Sequence, residues 1–175
     1  MKKILGIVII LGIAVGISLL AYREHMVKRF DRDFSTAEEL ITTFEGFKGR
    51  VYICPSGRKT IGYGFTDRKL VEKGRMTKAE AKEIVRKYCA ALRIRIAADL
   101  HPVHLADHEL EALVSFVYNV GWDNWKASTM REKLLTGKSR ESVAAEFPRW
   151  KYSRKTILLG LIRRRAAEKR LFLGV

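Results

Sequence analysis

Residues 44–65 read "FEGFKGRVYICPSGRKTIGYGF". The stretch sets an acid, Glu45, a cysteine, Cys54, and a threonine, Thr60, within a glycine-rich run of β-forming residues. "VYIC" and "TIGYGF" are β-branched or aromatic, and the Pro-Ser-Gly between them marks a turn, so together they predict a β-hairpin. Just upstream, "STAEELITTFEG" (35–46) offers a capping box, Ser35 with Glu38, and apolar spacing at Leu40, Ile41 and Phe44. Gly46 ends it as a C-cap. Glu45 is therefore expected in the last turn of a short helix, where the negative end of the helix dipole disfavours a carboxylate.

Downstream the pattern turns helical. "TKAEAKEIVRKYCAALRIRIAADL" (77–100) is a long helix with a capping box at Thr77 and Glu80. Helical segments follow in "DHELEALVSFVYNVG", "STMREKLLTG", "SRESVAAEF" and "LLGLIRRRAAEKRLFLG". The expected fold is α+β and mainly helical: a small β-hairpin lobe, a connecting helix and a helical lobe. A cleft between two lobes is the natural ligand site.

Upstream, residues 4–22, "ILGIVIILGIAVGISLLAY", carry no charge. As a helix they extend about 29 Å, enough for a bilayer core. "MKK" is a basic n-region, but the apolar run exceeds a usual signal-peptide core and no A-x-A cleavage site follows. The reading is an uncleaved anchor over residues 1–22, a charged linker over 23–34 and a folded domain over 35–175. Gly6, Gly12, Ala14, Gly16, Ser18 and Ala21 dilute the anchor and weaken its hold on lipid. Gly12 and Gly16 form a GxxxG that suits helix packing.

The chain has 34 Lys and Arg against 19 Asp and Glu, a net charge of +15 over 175 residues. Such a surface seeks a polyanion: nucleic acid, anionic lipid or bacterial envelope polymer. The charge is spread along the chain and an exported anchor faces away from the genome, which argues against nucleic acid. Two cysteines, Cys54 and Cys89, are too few for a disulfide-scaffolded secreted fold, although one bridge between them stays open. His101, His104 and His108 lie close in sequence but lack a zinc-site pattern, so neither metal nor cofactor is expected. Trp122, Trp125 and Trp150 suit core positions or stacking on sugar rings. Arg163, Arg164 and Arg165 point about 100° apart on a helix, so only some of them can face a cleft.

Glu45, Cys54 and Thr60 suit glycoside cleavage, which needs an acid for the leaving oxygen and a second group that guides water or attacks carbon. Three motifs in order, "EGFKGRVYICPSGRKTIGYG", "FVYNVG" and "GLIRRRAAEKRLFLG", resemble the phage-type lysozymes, glycoside hydrolase family 24, from about Ser35 to the C-terminus. The family pattern is Glu, eight residues, Asp or Cys, five residues, Thr, and Glu45, Cys54 and Thr60 satisfy it. The resemblance implies an endolysin that hydrolyses the β-1,4 bond between N-acetylmuramic acid and N-acetylglucosamine of peptidoglycan. It implies Glu45 as general acid, Cys54 in the slot that many members fill with Asp, and Thr60 positioning water or sugar. Asn119 and Arg164 are implied as substrate-binding residues, with Arg164 pairing to Glu45.

Where the family carries a histidine paired with an aspartate, this chain has Phe65 and Tyr88, which are therefore expected to touch. The anchor resembles that of signal-anchor-release endolysins. This implies an inner-membrane, single-pass protein with a periplasmic catalytic domain, released as a monomer. Two alternatives stay open: a lytic transglycosylase on the same substrate, and a non-enzymatic cationic binder of envelope or membrane.

Overall fold

The computed structural model describes residues 32–54, 57–153 and 156–175. The expected anchor, residues 4–22, and most of the linker lie outside the described residues. Among the described residues, no helix is long and apolar enough to cross a membrane.

The first helix, α1 (Ala37–Glu45), buries Ala37, Leu40 and Ile41. Its N-cap is one residue later than expected. The Thr36 hydroxyl accepts from Glu39 N–H at 3.3 Å, and Glu39 Oε2 accepts from Ser35 N–H at 3.0 Å. Ser35 and Glu38 do not make the box because Glu38 faces away to Arg93, at 2.8 Å. Gly46, at φ 66, ends the helix directly after Glu45.

Strands β1 (Lys48–Ile53) and β2 (Lys59–Gly62) pair antiparallel, with Tyr52 opposite Thr60 and a register shift between Lys48 and Tyr52. Cys54 falls one residue beyond β1. Its N–H donates to Arg58 O at 3.0 Å and its carbonyl accepts from Gly57 N–H at 2.8 Å, closing the end of the hairpin. The short α2 (Arg68–Glu72) follows, capped by Asp67, and was not legible in the periodicity.

The connecting helix α3 (Lys78–Leu100) starts at the expected capping box, with Thr77 and Glu80 bonded reciprocally. Its 23 residues span about 35 Å. Helix α4 (Asp107–Val120) is buried continuously from Ala112 to Val117, as a helix that is apolar all round must be. Around it lie α5 (Trp122–Lys126), α6 (Thr129–Leu135), α7 (Arg140–Ala144) and a 3-10 turn (Phe147–Arg149). A two-stranded hairpin, β3 (Tyr152–Ser153) with β4 (Thr156–Ile157), leads into α8 (Leu159–Leu173). α8 packs along α4, and α1 reaches both, which brings the end of α1 to the middle of α8.

Candidate active site

Because Glu45 ends α1 and Arg164 sits mid-way along α8, packing of the two helices joins them. Arg164 Nη1 meets Glu45 Oε1 at 2.6 Å. Arg164 is 2% exposed, and its remaining donors are occupied. Its Nε donates to Glu168 Oε1 at 3.0 Å, and its Nη2 to Ser115 O at 3.1 Å. The Ser115 hydroxyl donates to the same Glu168 oxygen at 2.8 Å. Burial works against the Arg164 charge, but Glu45 and Glu168 outweigh it, so its pKa is raised.

Of the three arginines it is Arg164 that pairs with the acid, and it does so from a buried position. Arg165 also faces inward. It is in ion-pair contact with Glu168 Oε2 at 2.7 Å, its Nη2 donates to Asn119 Oδ1, and its guanidinium lies over the Phe116 ring. Burial pushes the Arg165 pKa down to about 10. Arg163 is exposed.

The second oxygen of Glu45 faces Gly64. A Cβ on Gly64 would lie 3.3 Å from Glu45 Oε2, and the residue adopts φ +91. Both the close approach and the left-handed backbone require glycine. One residue earlier, the Tyr63 carbonyl accepts from the Tyr118 hydroxyl at 2.9 Å. Burial raises the Tyr118 pKa and the nearby Glu45 charge raises it further, so this phenol remains a donor. Helix α4 thus pins the loop that borders the acid.

Cys54 is half-buried at the hairpin end. Tyr52 stands within electrostatic reach of both Glu45 and Cys54: burial raises its pKa, and their charges add to the effect. Thr60 is 3% exposed, and its hydroxyl proton goes to Arg58 O at 3.1 Å. Its lone pairs remain to accept from a water. Cys54 and Cys89 are not joined by a disulfide. Cys89 is buried in α3 and burial pushes its thiol up to about 12, which keeps it inert.

Two hollows hold other candidate residues. One, of about 390 Å³, is bordered by Gly64, Phe65, Tyr88, Tyr118 and Trp122. Phe65 and Tyr88 stack here with centroids 6.1 Å apart, the contact expected where the family has its His–Asp pair. The other, of about 400 Å³, is lined by Asn119, Asn124, Trp150, Tyr152 and Leu158. Asn119 is exposed there while its Oδ1 is held by Arg165.

Trp125 is buried and donates to Asp99, so it belongs to the core. Trp122 borders the first hollow with Arg95 3.7 Å over its ring. The histidines do not converge. His108 Nδ1 bonds the Leu171 carbonyl at 3.1 Å, and no group suited to a metal ion occurs among the described residues. Tyr118, Gly64, Ser115 and Glu168 were not picked out in the sequence. Only Glu168 left a signal there, at four and three residues from Arg164 and Arg165.

The phage lysozyme family model matches residues 42–168. The endolysin of Acyrthosiphon pisum secondary endosymbiont phage 1 is 34% identical over 137 residues, covering 76% of this chain and 92% of that protein. The SAR-endolysin of Bacteriophage PS119 is 30% identical over 128 residues, covering 71% of this chain and 74% of that protein. Against the longer endolysins of Bacillus phages PZA and B103, the chain spans 52% and 51% of their length. Among solved structures, the muramidase domain of SpmX from Asticaccaulis excentricus superposes with a TM-score of 0.67 at 30% identity, over 81% of this chain and 99% of that one.

Proposed function

The chain belongs to the phage lysozyme family, and from that premise we propose that Glu45, Cys54 and Thr60 cleave the β-1,4 bond between N-acetylmuramic acid and N-acetylglucosamine. The protein is a glycoside hydrolase of the endolysin type that lyses peptidoglycan.

The observation that carries the assignment is the state of Glu45: one oxygen is clamped by buried Arg164 at 2.6 Å and the other is left facing Gly64. A carboxyl held by one oxygen has a fixed direction for the other. Oε2 would give its proton to the glycosidic oxygen as the bond to the anomeric carbon breaks. Cys54, as its thiolate, then either takes a proton from a water that attacks that carbon, with inversion, or bonds to the carbon through sulfur. In the second case water, deprotonated by Glu45, releases the sugar with retention. Thr60 would accept a hydrogen bond from the water. The neighbouring Asn119 would bind the saccharide on the helical side.

The test compares reducing ends released from purified peptidoglycan by wild type, Glu45→Gln and Cys54→Ala. Loss of a general acid lowers kcat by about 100-fold or more. Wild-type rates in Glu45→Gln overturn the assignment. Activity that survives Cys54→Ala removes sulfur from the chemistry. The anomer of the first product separates the two routes, and a 1,6-anhydro product identifies a transglycosylase instead.

The resemblance to SAR-endolysins supports a signal anchor at residues 4–22 and a catalytic domain delivered to the periplasm. Fractionation of expressing cells should place the full chain first in the inner membrane and then in the periplasm. Recovery only from the cytosol sinks this reading.

A further inference from the structure

Large apolar side chains are unevenly exposed. Of the ten that are open to solvent among the described residues, six lie between Tyr152 and Val175. Two sets can be separated. Tyr152 and Leu158 line the Asn119 hollow and belong with the saccharide side. Ile162 and Val175 belong instead to the outer side of α8. Ile162, Ala166 and Leu173 recur at helical spacing, and with Pro148 and Val175 they wall a groove of about 530 Å³.

The opposite face of α8 buries Ala167, Leu171 and Phe172 together with the paired charges Arg164, Arg165 and Glu168, so this helix has apolar side chains both inward and outward. Inward burial is explained by packing on α4. The outward stripe has no partner in the described fold.

The rim of the groove is basic, formed by Lys151, Lys169 and Arg170. From Phe147 to Val175 the sequence contains one acid, Glu168, and it is already consumed between Arg164 and Arg165. The whole face is therefore apolar and cationic, with no carboxylate of its own to neutralise it.

We propose that the outer groove of α8 docks an anionic phospholipid surface, with lipid tails against Ile162, Ala166 and Leu173 and headgroup phosphate at Lys151 and Lys169. The combination of an apolar stripe with flanking cations is what holds a helix in the interfacial plane of a charged bilayer. Other occupants fit less well. The chain's own apolar residues 4–22 carry no charge and would leave the basic rim unmet. A second copy, also at +15, is repelled. A glycan strand presents C–H ring faces that suit flat aromatic rings, and Ile162, Ala166 and Leu173 supply none. The site is separate from catalysis and would keep the enzyme on the membrane face of its substrate layer.

The test uses the full chain with a benzophenone amino acid in place of Ala166. A second protein carries it in place of Ile94, an exposed residue of α3 outside the groove, to control for tethering by residues 4–22. Each is photolysed with vesicles of phosphatidylcholine alone or mixed with phosphatidylglycerol. The expected result is a lipid adduct at position 166 that needs phosphatidylglycerol and exceeds the adduct at position 94. With Lys151→Gln and Lys169→Gln, the adduct should fall about fivefold per charge removed, or about 1 kcal/mol each. Equal labelling at positions 166 and 94, or labelling indifferent to phosphatidylglycerol, overturns the proposal. So does a crosslink from position 166 to residues 4–22 or to a second copy.

Discussion

At the scale of single residues, the site depends on how closely the backbone approaches Glu45. Gly64 touches the free oxygen of the acid and has a left-handed φ, so adding one methyl acts twice. Gly64→Ala should lower kcat about tenfold, or about 1.4 kcal/mol of barrier. It should also cost about 1 kcal/mol of stability from the strained φ, read from urea unfolding. Tyr118 acts through its bond to Tyr63 O. Tyr118→Phe keeps the ring, which packs edge-on to Tyr88, and deletes one hydrogen bond, a loss of about 1 kcal/mol. The expected outcome is a several-fold drop in kcat with KM nearly constant, because the loop shifts relative to the acid without leaving the substrate surface. A change confined to KM would mean that Tyr118 contacts the saccharide instead.

At the scale of elements, caps and ion pairs decide where helices end and how they meet. The Thr77–Glu80 box was legible because both partners lie within four residues and form it locally. The start of α1 was misread by one residue because Glu38 has a stronger, non-local partner in Arg93. The end of α3 meets α5 and α6 at Asp99, which receives Arg131 and Lys126 at 2.7 Å each and Trp125 Nε1 at 3.0 Å. Burial alone would raise the Asp99 pKa, but these three donors override it and hold it at about 2, below the usual 3.8. The folded pKa lies below the unfolded one, so the stabilisation is complete above the unfolded value and is lost as pH falls towards 2. Asp99→Asn should lower the melting temperature at neutral pH and flatten the rise of stability between about pH 2 and 4. An unchanged slope would show that the acid limb comes from other carboxylates.

At the scale of the whole molecule, a net charge of +15 directs the enzyme to anionic polymer before any specific contact forms. Salt screens that attraction over about 8 Å at physiological strength. KM for peptidoglycan sacculi should therefore rise with added sodium chloride while kcat stays level, since the Glu45–Arg164 pair has its arginine buried and is only partly open to ions. A fall in kcat instead would place the salt-sensitive step inside the cleft. The sequence by itself determined the hairpin, the long connecting helix, the placement of Glu45 at a helix end and the spacing of Glu45, Cys54 and Thr60. These depend on local propensity, capping and short-range pattern, which neighbouring residues encode. The Phe65–Tyr88 contact was also readable, because one lost partner implies the other. Only the tertiary structure decided which of the three arginines meets the acid, and that Arg164 does so from a buried position. It alone showed that Arg165 and Glu168 are buried as a pair, and that Tyr118 reaches the loop beside Glu45. Those choices arise where α1, α4 and α8 pack together, between residues up to 119 positions apart. Helical periodicity places a side chain on a face, but the identity of the group opposite depends on which other helix fills the space.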